Sequence, residues 1–351
     1  MQLLLTAPLQ LVTTYMPRRG KSADVGKRIT AALRLAVLKT IAPPLGEGQE
    51  FAPPTKWTDE QILSAVARVR AGPTLTPDRW PDNSRVAVCI SFDIDNETLS
   101  LSRGETAPVA LSAGEFGATN GLRRVLDLLD RHNIPASFYI PAVSAMLHPQ
   151  MIEEISDRNR HEIGVHGWIH ENPQAVNDRS EEERLMNQAI DYLTKAVGKR
   201  PVGYRAPSWA FSKHTLGLLR EAGFLYDSSM MAMDEPYELL ADGQPTGIVE
   251  LPVDWILDDA PYFGRAGALP SPELIFKTYQ DEFDLAYDEG TMLMLTMHPH
   301  IIGHRSRISH LDKLIHYMKS KPAVWFATAE QIAAYAKTAA TQTMTKSQLL
   351  P

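Results

Sequence analysis

From Arg85 onward this chain alternates short apolar runs with amphipathic segments, and that rhythm constrains its fold more than any other feature. "RVAVCISFD" is a continuous apolar run, the pattern of a strand buried on both faces. In "TNGLRRVLDLLDRHNI", Leu122, Val125, Leu126 and Leu129 recur at helical spacing. Strand "PASFYI", helix "HPQMIEEISDRNR" and strand "HEIGVH" come next. The helix "SEEERLMNQAIDYLTKAVG" follows, with Ser180 as its expected cap and Glu183 three residues on. The runs "PVGYRAP", "FLYDSS", "GIVELPVD", "TMLMLTMH" and "PAVWFAT" read as further strands among helices, one of them closed by Gly290. Repeated strand–helix units imply a parallel sheet with helices outside it. Their number suits a barrel or partial barrel better than a short open sheet.

Residues 1–83 lack this rhythm. They are rich in proline, show no strand signal before Val86, and read as an extension with helices near 24–40 and 58–71. The barrel segment spans 84–340, and 341–351 reads as a tail. The opening "MQLLLTAPLQLVTTYM" is apolar, but no basic residues precede it and no small-residue cleavage site follows. It therefore does not read as a signal peptide, and the expectation is a cytoplasmic protein. "GKRITAALRLAVLKTIAPP" reads as a basic amphipathic helix packed on the domain or on a partner subunit. No apolar stretch reaches the roughly 18–20 residues that span a bilayer. A net charge of −7 argues against nucleic acid or an anionic membrane as partner. The single cysteine, Cys89, excludes a disulfide framework and a thiolate-held metal.

Polar residues collect at the C-terminal ends of the expected strands, the edge where parallel α/β folds build their sites. Asp93 and Asp95 end the first in "SFDIDNE". Two residues apart in an extended strand, they point the same way, though a turn rich in Asp and Asn reads the same. "HGWIHENP" places His166 and His170 four apart after a strand. With one aspartate they make a two-histidine, one-carboxylate set, suited to Zn²⁺ or another first-row divalent ion and leaving positions open for water and substrate. Alone, the pair reads more readily as two loop histidines. Zincin proteases share the spacing but place it on a helix with Glu after the first His; here Gly167 follows a strand. Arg205, in "GYRAPSWAF", is a charge among apolar neighbours and needs a buried partner, for which Asp93 is the natural choice. "LPVDWILDD" offers Asp254 as an orienting carboxylate and Trp255 as an aromatic wall. His298, ending "TMLMLTMH", suits a general acid, or is a histidine satisfied by backbone. Trp168, Trp209 and Trp255 beside these motifs are the substrate-facing candidates.

In order and spacing these five segments resemble the polysaccharide deacetylase family, the nodulation-type carbohydrate deacetylases, over roughly Arg85 to Thr338. The resemblance implies a distorted (β/α) barrel of about seven strands, a divalent metal, usually zinc, and hydrolysis of an amide or ester. By position, Asp93 matches the catalytic base, Asp95, His166 and His170 the metal ligands, and Arg205 the arginine that holds the base. Asp254 and Trp255 match the segment that orients the acid, and His298 the acid itself. The common pattern has two adjacent aspartates followed by glycine, whereas here Ile94 separates them and Glu97 follows. That variant is similar to an atypical branch of peptidoglycan deacetylases, cyclic imide hydrolases and metal-free allantoinase-like enzymes. Its members tend to be homo-oligomers, often tetramers.

The expected function is metal-dependent hydrolysis of a non-peptide C–N bond, most simply N-deacetylation of an amino sugar or glycan. The competing expectation is the opening of a small cyclic imide or ureide in the cytosol. Non-haem iron oxygenases also use two histidines and a carboxylate, but usually on a β-sandwich, against the βα alternation. A sugar-binding barrel without catalysis would have no use for Asp93, Arg205 and His298 beside the ligands.

Overall fold

The computed structural model describes residues 56–264 and 270–348. The helix expected near 24–40 and the apolar opening stretch lie outside the described residues. Seven parallel strands form an arc in the order β9-β2-β3-β4-β5-β6-β8. They are β2 (Val86–Asp93), β3 (Ser137–Ile140), β4 (Glu162–Val165), β5 (Gly203–Tyr204), β6 (Tyr226–Asp227), β8 (Gln244–Glu250) and β9 (Met292–Met297). An eighth parallel strand, β10 (Val324–Phe326), pairs with the first residues of β2. This is the distorted barrel the sequence suggested. Between β8 and β9 the arc is joined by one parallel bridge, Asp258 with Thr296, and by Asp259 N–H donating to the Thr296 carbonyl at 3.2 Å.

The two-residue period of β2 sorts its side chains into different layers. Val86, Val88, Ile90 and Phe92 join the large cluster under the outer helices, while Ala87 and Cys89 join the inner one. Ala329, Ile332, Ala333 and Ala336, from the helix Ala329–Gln348, also belong to the inner cluster. Continuing the inner row, Ala87 and Cys89 give way to Ser91 and Asp93, so the interior changes from apolar to polar toward the strand ends.

Three local elements differ from the sequence expectation. The helix expected over 58–71 runs only over Asp59–Ala67, and β1 (Arg70–Thr74) follows it. β1 pairs antiparallel with β7 (Tyr237–Ala241), which forms a hairpin with β8 through Asp242 and Gly243. The helix Arg179–Val197 is capped by Asp178 instead of Ser180: Asp178 accepts from Glu181 N–H at 2.8 Å, and Ser180 donates its hydroxyl to Asp178. The last helix continues to Gln348, into the stretch read as a tail. Among the described residues no helix is long and apolar enough to cross a membrane.

Candidate functional site

The strand ends bring two sets of residues into one buried cluster. Asp95 lies just past β2, and His166 follows β4 directly. The chain then reverses through Gly167 (φ +76°) and His170 (φ +61°). Gly167 is required on a second ground, since a Cβ there would lie 2.9 Å from Glu171 Oε1 and from Pro207 Cγ. Glu171 fills the turn and accepts from Trp168 N–H at 3.0 Å and Ile169 N–H at 2.8 Å. His166 Nδ1–H donates to the Arg205 carbonyl at 2.8 Å, which turns Nε2 toward the cluster.

The spacing between these groups is what a small cation needs. His166 Nε2 stands 3.5 Å from Asp95 Oδ1, and His170 Nε2 stands 3.6 Å from Asp95 Oδ2. Those gaps are long for hydrogen bonds. They match the edge of a tetrahedron whose corners lie about 2.0–2.2 Å from a central ion. Asp95 Oδ1 is buried with no donor, the kind of orphan that a metal would satisfy. Burial lowers His170 to about 4, so its imidazole is neutral and able to ligate. Burial also works against the charged form of His166, but the Asp93 and Asp95 carboxylates outweigh it and raise its pKa; a cation would replace that proton at Nε2. Burial opposes ionisation of Asp95, yet His170, His166 and His298 hold it well below the ordinary carboxylate range. Asp95, His166 and His170 thus form a group that can hold a divalent ion.

Asp93 is held differently. Its Oδ1 accepts from Arg205 Nη1 at 2.7 Å, and its Oδ2 lies 3.7 Å from His166 Nε2. Arg205 is fully buried and has every arm engaged: Nη1 also donates to Ser91 Oγ, Nε to the Ser228 carbonyl and Nη2 to Ser228 Oγ. Its guanidinium lies over the Tyr139 ring at 4.0 Å. His298 Nε2 is 3.7 Å from Asp95 Oδ2. On its far side His298 Nδ1–H donates to Asp259 Oδ1 at 2.7 Å, and His298 N–H donates to Asp259 Oδ2 at 3.1 Å. Burial favours the neutral imidazole, but Asp259, with Asp95 and Asp258, overrides it and holds His298 well above its ordinary value. His298 therefore carries a proton at neutral pH. Burial pushes the neighbouring Asp258 up to about 7.

Two expectations need correction. Asp254 does not orient His298; its carboxylate accepts from Ile256 N–H at 2.7 Å and caps the short turn Trp255–Leu257. The orienting carboxylate is Asp259, five residues on, which the barrel seam at Thr296 places beside His298. Trp168 is half-buried and packs edge-on against Tyr192 of the helix Arg179–Val197, so a packing partner occupies it. Trp209 and Trp255 do come together, with ring centroids 4.1 Å apart and Trp255 exposed. The left-handed pair Ser208 (φ 54°) and Trp209 (φ 53°) makes the turn that brings them there.

Comparison with known proteins places the chain among relatives. A family model described as "Polysaccharide deacetylase" matches residues 108–226. The chain is 30% identical over 280 residues to the peptidoglycan deacetylase of Helicobacter pylori, covering 71% of this chain and 95% of that protein. A crystal structure assigned as a polysaccharide deacetylase from Mycobacterium smegmatis superposes with a TM-score of 0.69 at 35% identity, covering 77% of this chain and 96% of that one. The crystal structure of PuuE allantoinase superposes at 0.66 with 27% identity, covering 75% and 93%. The chain belongs to the polysaccharide deacetylase family, and it is a hydrolase acting on carbon–nitrogen bonds other than peptide bonds.

Proposed function

We propose that this enzyme is a divalent-metal-dependent N-deacetylase of an amino sugar or glycan, with Zn²⁺ held by Asp95, His166 and His170. The observation that carries the proposal is the separation of roles among like residues. His166 stands 3.5 Å from Asp95 Oδ1, which has no donor, and His170 stands 3.6 Å from Asp95 Oδ2, while the adjacent Asp93 and His298 are tied at 2.7 Å to Arg205 and Asp259. When bound, the ion supplies Lewis acidity, polarising the scissile carbonyl and acidifying the attacking water. Asp93, the catalytic base, takes the water's proton on Oδ2, because Arg205 engages Oδ1 and fixes the carboxylate. His298 delivers its Nε2 proton to the departing nitrogen, and Asp259 holds the ring through Nδ1–H. Trp209 and Trp255 offer aromatic faces on which a sugar ring stacks. The peptidoglycan deacetylase relative supports a glycan substrate.

A cyclic imide or ureide is the second reading, favoured by the allantoinase likeness. Ring opening asks the same of Asp93 and His298, except that the departing nitrogen stays tethered. The homo-oligomer belongs to the proposal too: the helix Asp59–Ala67 buries none of its residues, and Ile62, Leu63 and Val66 are exposed. Acetate release from N-acetylated chitooligosaccharides and peptidoglycan fragments, beside ring opening of cyclic imides, tests the substrate class on the zinc-loaded protein. Acetate release is expected. Ring opening without acetate release moves the function to the second reading.

A further inference from the structure

Behind Arg205 lie two buried carboxylates that the reaction does not use. Asp227 ends β6 and Glu250 ends β8, and the two are direct partners across the parallel ladder. Glu250 is also in register with Tyr237 of the hairpin strand β7. Asp227 and Glu250 are fully buried. Each satisfies one oxygen on the turn that follows β6. Glu250 Oε1 accepts from Ser229 N–H and Met230 N–H, both at 2.9 Å. Asp227 Oδ1 accepts from Ser229 Oγ at 2.9 Å, which frees the hydroxyl oxygen to accept from Ala206 N–H, also at 2.9 Å. The two remaining oxygens, Asp227 Oδ2 and Glu250 Oε2, have no donor among the described residues.

Two acceptors without a donor on directly paired residues lack one hydrogen. No arginine, lysine or histidine among the described residues is paired with either carboxylate; the charged and titratable side chains around them are Arg205, Tyr204 and Tyr237. Two ionised carboxylates in that setting would combine burial with like-charge repulsion. We infer that Asp227 and Glu250 share a single proton, and that this carboxyl–carboxylate pair is the positioning device for Arg205 and, through it, for the base Asp93. Burial raises both carboxyls, Asp227 to about 6, in keeping with a retained proton. The mechanical link is short. The pair clamps the Ser228–Met230 turn, and that turn presents Ser228 O and Oγ to the guanidinium and Ser229 Oγ to the residue after it.

The positioning role rests on the proposed function; the shared proton does not. Isotope-edited infrared spectroscopy of the full chain counts the two forms directly. Asp227→Asn removes one protonated carboxyl if the proton is shared, and the number of carboxylates stays the same, because the new amide donates to Glu250. If both groups are ionised, the same variant removes one carboxylate and no protonated carboxyl, and the inference fails. The Arg205 Nε–H resonance reports the turn without any substrate. It is expected to stay in place in Asp227→Asn and in Glu250→Gln, each of which supplies the missing hydrogen, and to shift or vanish in Glu250→Ala. In turnover, Glu250→Ala should lower kcat about 10- to 100-fold with KM and zinc content unchanged. Each amide variant should stay within about twofold of the parent, because the hydrogen bond persists. Amide variants as impaired as the alanine variant would overturn the positioning role. Should the parent show no deacetylation, the functional reading fails while the infrared and resonance results still decide the pair; should Glu250→Ala not fold, the two amide variants decide it.

Discussion

His166 with His170, and His298, are histidines at or just past strand ends facing the same aspartate, yet their surroundings differ. Around Asp95 the nitrogens stand 3.5–3.6 Å from the carboxylate oxygens, an oxygen is left without a donor, and His170 is held neutral with a pKa near 4. At the barrel seam the His298–Asp259 contact is 2.7 Å, Asp258 and Asp95 also approach the ring, and the pKa is driven up. Residue type alone cannot separate the two, because both are histidine–aspartate sets. The nearest carboxylate does: His166 and His170 come no closer than 3.5 Å to Asp95, a length that an ion can bridge, while His298 meets Asp259 in a hydrogen bond of 2.7 Å.

Breaking the ion side has the largest expected effect. His170→Ala should lose most bound zinc and lower turnover by about 10³-fold or more, the scale of a lost Lewis acid. Full zinc occupancy by elemental analysis would remove the ligand assignment. Next comes the line between base and ligand. Asp93→Asn should keep its zinc and lose about 10²- to 10⁴-fold in kcat. Asp95→Asn should weaken zinc first and recover part of its activity in excess zinc. Reversed behaviour would exchange the two roles and detach Arg205 from the base.

Breaking the proton side moves a pH profile. Asp259→Asn removes the largest influence raising His298 and leaves burial, which lowers it. The alkaline limb of kcat should move to lower pH, with activity returning as pH falls. Linkage gives the matching stability sign. A raised histidine pKa stabilises the fold fully below the unfolded value of about 6.5 and ceases to do so as pH rises through the folded pKa. The parent's Tm should carry that decline, and Asp259→Asn should lack it. The smallest effect is expected at Asp254, where Asp254→Ala costs at most about 1 kcal/mol as a lost cap and leaves the pH profile alone. A shifted alkaline limb in that variant would return the orienting role to Asp254.

Much of the candidate site was legible in the sequence because strand and polar residue are contiguous there: an apolar run ends, and the next residue is Asp93, His166, Arg205 or His298. The seam was not. Asp259 acts on a histidine 39 residues away, through a bridge between the segment after β8 and Thr296 that no local pattern announces. Asp254, preceding a tryptophan, carried the motif but only caps a turn. The strand β1, "RAGPT", holds a glycine and a proline, and its pairing with β7 at the edge of the sheet supplies the order that its composition does not. Its partner hairpin did leave a signal, the Asp242–Gly243 pair with both residues left-handed, between two strand-like runs. The Ser180 cap failed for a simpler reason, since Asp178 two residues earlier offers a carboxylate to the same helix end.

Anomalous diffraction at the zinc edge from zinc-soaked crystals tests the central distinction most directly, because two buried groups among the described residues, Asp95–His166–His170 and Asp258–Asp259–His298, are each compact enough to take an ion. The account predicts a peak about 2.0–2.2 Å from Asp95, His166 and His170, with His298 and Asp259 still joined by their hydrogen bond. A peak seated among Asp258, Asp259 and His298, or full zinc stoichiometry with no density at Asp95, would contradict it.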